Sequence, residues 1–170
     1  LEKADCTIYD VDDFVVLNGP GSFTGIRVGV TVAKTLAWVL SKKLYVLNNL
    51  KALKVGIQND VVISVIPDKE TFSYAGIYEG EKTKEDYLMV DDESFNIKNK
   101  KVTIVTMEEN PFVNVLKEKL SVNNDTKVKF LKDYDYVSLV KYVHSGTDIN
   151  PHLAEPVYMK KIDAEKKNER

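Results

Sequence analysis

The stretch Asn18 to Lys43, NGPGSFTGIRVGVTVAKTLAWVLSKK, constrains this chain more than any other. Gly19, Pro20, Gly21 and Gly25 crowd around Ser22 and Thr24, which specifies a tight turn whose backbone reaches angles that only glycine adopts cheaply. The apolar run that follows has no glycine after Gly29 and no proline, so it predicts a long helix with Thr24, or Ser22 just before it, as N-cap. Phe14 to Leu17 upstream is a short apolar strand. The local unit is strand, glycine turn, buried helix.

Gly25, Gly29, Ala33 and Ala37 fall four apart, which predicts a ridge of small residues along one helix face. Ile26, Val28, Val30, Val32, Leu36, Val39 and Leu40 make most of the remaining circumference apolar, and Arg27, Thr31 and Lys34 form a narrow polar stripe continued by Trp38. A helix apolar nearly all round needs cover on more than one side. A membrane span is disfavoured, because Arg27 and Lys34 would each cost roughly 2.5 to 3.5 kcal/mol at a bilayer centre. The cover is expected to be the helix's own sheet on one side and a further surface on the other.

With 170 residues and 44% hydrophobic content, the chain can build a proper core as one domain or two small lobes. A net charge of −2, with Arg27 and Arg170 the only arginines, gives no electrostatic case for autonomous nucleic-acid binding. The single cysteine, Cys6, excludes an internal disulfide framework and fits a reducing, cytoplasmic setting. The chain opens on Leu1 rather than methionine, and Leu1 to Ala4 reads as the last turn of a helix lying upstream.

Further along, Leu44 to Leu47 is a short buried strand, and Asn48 and Asn49 cap a brief helix that ends at Gly56. A parallel pair joined by a crossover is expected here. Val61 to Ile66, Phe72 to Tyr78 and Tyr87 to Val90 read as an antiparallel meander, with a charged turn at Gly80 to Asp86. Val102 to Val105 is a buried strand, Pro111 opens a helix, Ser121 to Thr126 is a polar loop and Val128 to Leu131 a strand. Tyr134 to His144 is an amphipathic helix closed by Gly146; Pro151 and Pro156 bracket an extended connection, and Asp163 to Arg170 is a fraying charged tail. The expected lobes are 1–59 with about 134–170, and 60–133.

Chemistry is harder to place. The glycine turn lacks the lysine and hydroxyl spacing of a P-loop and the third glycine of the dinucleotide fingerprint. Ser22 lacks the flanking glycines of a nucleophile elbow, since Pro20 and Thr24 stand there. His144 and His152, eight apart, cannot share a helix face as metal ligands do; His144 reads as a helix-end residue and His152 as a loop residue. Asp10, Asp12 and Asp13 lack the rest of a calcium loop and read as a solvated turn. No catalytic constellation, metal site or cofactor site emerges.

The string GPGSFTGIRVGVTVAKTLA is similar to the signature of the TsaB (YeaZ) family, as are VLNNLKAL from Val46 and AEPVYMKK from Ala154; Asp68 stands where that family has an acid after a strand. The resemblance implies an α/β, actin-like/sugar-kinase-like (ASKHA) fold of two lobes with mixed sheets. It implies work in threonylcarbamoyladenosine modification of tRNA, as a non-catalytic partner of TsaD, which TsaE, an ATPase, joins. A homodimer is a further expectation, and tRNA would be reached only indirectly. Family members begin with a hairpin and a first helix that would precede Leu1, so the first lobe is expected to be incomplete.

On this reading the interface comprises Gly21, Ser22, Phe23, Thr24, Gly25, Arg27, Gly29, Val30, Ala33, Lys34 and Ala37. The alternatives are an ATP-binding enzyme of the same superfold, suggested by a glycine turn at a helix N-terminus, and a glycoprotease-like peptidase, suggested only by older family names.

Overall fold

The structure, a computed structural model, describes residues 5–160. The readings of Leu1 to Ala4 and of Asp163 to Arg170 lie outside the described residues. In chain order the elements are β1 (Asp13–Leu17), α1 (Phe23–Val39), β2 (Lys43–Leu47), α2 (Asn49–Lys54), β3 (Val61–Pro67), β4 (Phe72–Glu79), β5 (Lys82–Met89), β6 (Lys101–Thr106), α3 (Pro111–Ser121), β7 (Asp125–Phe130) and α4 (Tyr136–His144). Contacts divide the chain into two compact units, Leu1–Asn49 with Tyr136–Val157 and Leu50–Asp135 with Tyr158–Arg170.

In the first unit β1 and β2 pair in parallel, Asp13 opposite Lys43 through Leu17 opposite Leu47, with α1 as the crossover. Ser22 is the N-cap, its hydroxyl accepting from the Gly25 amide at 3.4 Å. At the other end the Ser41 amide donates to the Trp38 carbonyl and the Lys42 amide to the Ala37 carbonyl. These are the two bonds of a Schellman stop, with Ser41 at φ 53° in the left-handed place usually given to glycine. Val16, Ile26, Val30, Ala37, Leu44 and Ala154 form the core, with Phe14, Ala33, Val46 and Ile149 packed against it. His144 ends α4 as expected, and its ring also lies 3.3 Å from the Asp13 carboxylate and against Tyr45.

The second unit is built on a five-stranded mixed sheet in the order β5-β4-β3-β6-β7. The meander β3-β4-β5 is antiparallel, and β6 and β7 join in parallel on the far side of β3. Val61, Ile63, Val65, Ala75, Val102 and Ile104 meet Phe112, Val113, Leu116 and Leu120 of α3 in a fully buried cluster. Asn110 caps α3 by accepting from the Phe112 amide at 2.8 Å, with Pro111 in the first turn where its missing N–H costs nothing. Gly56, at φ 78°, follows the end of α2 and does the terminating job its position suggested.

Two strands start earlier than their apolar residues indicate. The charged turn expected over Gly80 to Asp86 shrinks to Gly80 and Glu81, because Glu79 already pairs with Lys82. Likewise β7 takes in Asp125 and Thr126, the end of the expected polar loop. Both are edge strands, bonded on one side only, and charged side chains are tolerated there and guard the open edge. Pro151 to Leu153, expected to be extended, instead forms a single 3-10 turn capped by Asn150.

The turn after β3 carries a compact polar tie within this unit. Asp68 accepts from Lys160 Nζ at 2.9 Å and from the Tyr87 hydroxyl, while Phe72 stacks on Tyr87 and Tyr74 tilts against it. Burial pushes the Asp68 carboxyl up, but the bonds from Tyr87 and Lys160 outweigh it and hold it below the usual 3.8. Burial and the bond to Asp68 push the Tyr87 hydroxyl up to about 12.

Two predictions follow from this packing. Leu116→Ala should cost roughly 2 to 5 kcal/mol in urea unfolding, whereas Val115→Ala, exposed on the same helix, should stay within about 0.5. A carboxyl depressed in the folded state contributes stability that is present above its unfolded value and lost as pH falls through the folded value. Asp68→Asn should therefore lower Tm at neutral pH and flatten the fall of Tm below about pH 4.

Candidate functional site

The glycine turn that launches α1 is clamped from two directions. The Gly19 amide donates to Asn49 Oδ1 at 3.0 Å, and the Asn49 amide returns a bond to the Gly19 carbonyl at 2.7 Å. From the other side the Val157 amide donates to the Asn18 carbonyl at 2.7 Å, and Asn18 Nδ2 donates to the Glu155 carbonyl at 3.0 Å. Gly19 sits at φ 119°, and a Cβ there would lie 2.5 Å from the Val157 carbonyl oxygen. Both features demand glycine. The turn's polar groups are thus largely engaged by the chain itself: the Gly19 amide by Asn49, the Ser22 hydroxyl by the helix cap. Among the described residues, no three His, Cys, Asp or Glu side chains are grouped to hold a metal ion. No helix among them is long and apolar enough to cross a membrane.

The small-residue ridge does not stay on one face. A step of four residues turns a helix by about 400°, so each member is displaced about 40° from the last and Gly25 to Ala37 sweeps about 120°. Ala37 is 1% exposed and Val30 2%, both inside the unit's own core, and Ala33 packs against that core. Val30 and Ala37 are therefore not on the free surface where the interface reading put them. Gly29 lies toward the outside, with nothing within 4 Å of a Cβ built on it, and Gly25 has only the Ser22 side chain nearby.

The outward face of α1 is instead carried by Val28, Val32 and Val39, which are 57%, 51% and 63% exposed. They were hidden in the sequence by their own regularity: a helix apolar all round does not announce which apolar stripe its own sheet takes. The other expected interface residues flank this stripe. Phe23 and Thr24 are exposed in the first turn, Gly21 is half-buried before it, and the Arg27 guanidinium lies 4.1 Å over the Phe23 ring. Lys34 is held in place, its ammonium donating to the carbonyls of His152 and Ala154 at 3.2 Å each. The segment around Ala154, one of the strings singled out in the sequence, thus braces both the turn and the helix.

Gly19→Ala should lower thermal stability and speed proteolysis between Ala154 and Val157, because the clamp cannot close over a Cβ. Gly80→Ala, at a positive φ but in open space, should cost about 1 kcal/mol and leave that segment protected.

Comparison with known proteins points one way. The family model described as TsaD, tRNA N6-adenosine threonylcarbamoyltransferase, matches residues 1–109, more than half the chain. The tRNA threonylcarbamoyladenosine biosynthesis protein TsaB of Bacillus subtilis is 41% identical over 81 residues, covering 46% of this chain and 35% of that protein. A tRNA N6-adenosine threonylcarbamoyltransferase of Methylorubrum extorquens is 40% identical over 52 residues, covering 31% of this chain and 15% of that protein. The matched segments thus span about a third or less of these curated relatives. In structure, YeaZ from Pseudomonas aeruginosa superposes with a TM-score of 0.71 at 20% identity, over 93% of this chain and 78% of that one. The mixed α/β architecture is accordingly of the actin-like/sugar-kinase-like (ASKHA) type. With the family model matching more than half of its residues, this chain belongs to the TsaD-like family, and it shares its fold with YeaZ.

Proposed function

We propose that this chain acts in tRNA threonylcarbamoyladenosine biosynthesis as a non-catalytic subunit that binds a TsaD-like protein, joined by a TsaE-like one, in the cytoplasm. The observation that carries the reading is the uncovered valine stripe on α1, Val28, Val32 and Val39. Burying such a side chain contributes roughly 1.5 to 3 kcal/mol, and exposed valines gathered on one face of a surface helix favour a protein contact. Gly25 and Gly29 beside it let a partner helix approach the backbone closely. The self-engaged turn and the lack of a nucleophile pattern around Ser22 support a supporting rather than a chemical role. The same stripe serves self-pairing into a homodimer when no partner is present.

The test is co-purification and titration with the TsaD-like protein of the same organism. Gly29→Leu and Val32→Glu should each weaken binding at least about tenfold while leaving circular dichroism unchanged. Ala37→Leu should act differently, lowering the stability of the isolated chain by about 1 to 3 kcal/mol through overpacking. Wild-type affinity in both Gly29→Leu and Val32→Glu would remove the α1 face from the interface.

A further inference from the structure

Within the first unit a shallow, open cleft of about 510 Å³ lies beside the C-terminal end of α1. It is lined by Trp38, Lys42, Lys43, Asp148, Asn150 and His152. Trp38 is the only tryptophan in the chain, and it is 60% exposed. A large aromatic left so open offers a flat apolar face to a ligand. It is not part of the outward stripe, since the next residue, Val39, lies about 100° further round the helix. The His152 ring packs against it in a T-shaped pair, with centroids 5.5 Å apart.

The walls are fixed by main-chain bonds. The Schellman stop sets Ser41 and Lys42, and β2 pairing sets Lys43. The Ile149 amide donates to the Leu44 carbonyl at 2.9 Å, tying this segment to β2, and Lys34 holds the His152 carbonyl. Most polar groups around this frame are available, although the Asp10 carboxylate already feels the Lys42 charge. Among the described residues, no hydrogen bond or ion pair engages the ammonium groups of Lys42 and Lys43 or the carboxylate of Asp148. Asn150 Oδ1 caps the turn by accepting from the His152 amide, which leaves its NH2 free to donate.

An aromatic platform, two ammonium groups, one carboxylate and one amide form the donor set that a nucleotide matches. A base stacks on Trp38, a phosphate meets Lys42 and Lys43, and ribose hydroxyls donate to Asp148. We propose that this cleft is a subsite for a nucleoside phosphate, either free or as one nucleotide of an RNA strand. The proposal is independent of the α1 interface, because none of its residues lies on the valine stripe.

The lone tryptophan makes the test direct. Adenosine 5′-monophosphate and, in a separate arm, a short single-stranded RNA are titrated into the full chain while Trp38 fluorescence is followed. Saturable quenching by the mononucleotide identifies a free nucleotide as the ligand; quenching by RNA alone identifies a strand. Either supports the subsite. Trp38→Leu, read by calorimetry, should weaken binding at least about fivefold, and the pair Lys42→Gln with Lys43→Gln about tenfold. The lysine pair should leave adenosine, which lacks the phosphate, unaffected. No saturable signal from either arm at 10 mM mononucleotide, on the order of the weakest useful affinity, overturns the proposal. So does a lysine pair that alters helix stability but not nucleotide affinity, which would confine those charges to the helix end. Loss of TsaD-like partner binding in Trp38→Leu without any nucleotide effect would likewise assign the indole to a protein contact.

Discussion

The four hydrogen bonds that close over the glycine turn are the constraint on which the rest of the first unit depends. Asn49 grips Gly19 from the start of α2, and the Glu155 to Val157 strip grips Asn18 from a point more than a hundred residues later in the chain. A turn with two glycines at positive φ is soft by itself, since glycine gives up the most freedom on folding. Bonds of this kind, partly buried and made to main-chain groups, remove that freedom and aim α1. The direction of α1 then sets which of its stripes meets β1 and β2 and which is left outside.

That choice separates two kinds of small residue that look equivalent in a one-dimensional pattern. Ala33 and Ala37 are small because the helix lies close on its own core, where a longer side chain would have no room. Gly29 is small with open space around it, and Gly25 is faced only by the Ser22 side chain of its own cap. Only the second kind invites something else to approach. An internally packed ridge and an external one can follow each other along a single helix, because a four-residue step overshoots a full turn. The α1 helix therefore stands in two environments, holding its own fold together at one stripe and offering apolar surface at another.

The segment after α4 shows how a short string can have several structural jobs. Ala154 fills a place in the first core, His152 and Ala154 give their carbonyls to Lys34, and Val157 seals the turn. Three residues on, Lys160 belongs to the second unit, where it answers Asp68 beside Tyr87. The sequence marks this string as unusual, but none of its hydrogen bonds follows from local rules. Each depends on a partner distant along the chain.

What the sequence determined by itself is the set of elements whose signal is local. The crossover helix, the β3 and β6 strands, α3 behind Pro111 and the stop at Gly56 are all readable from periodicity and capping, while the choice of Ser22 over Thr24 as the cap of α1 needed the structure. The family likeness in the turn was equally legible, because the string from Gly19 to Gly25 is itself the matching signature. Tertiary structure decided the rest. The charged edge strands β5 and β7 exist because neighbouring strands supply their bonds, so their own residues carry little apolar pattern. The outward stripe of α1 and the cleft at Trp38 emerged only with the packing, because a residue's neighbours along the chain do not say which of its sides the core will take.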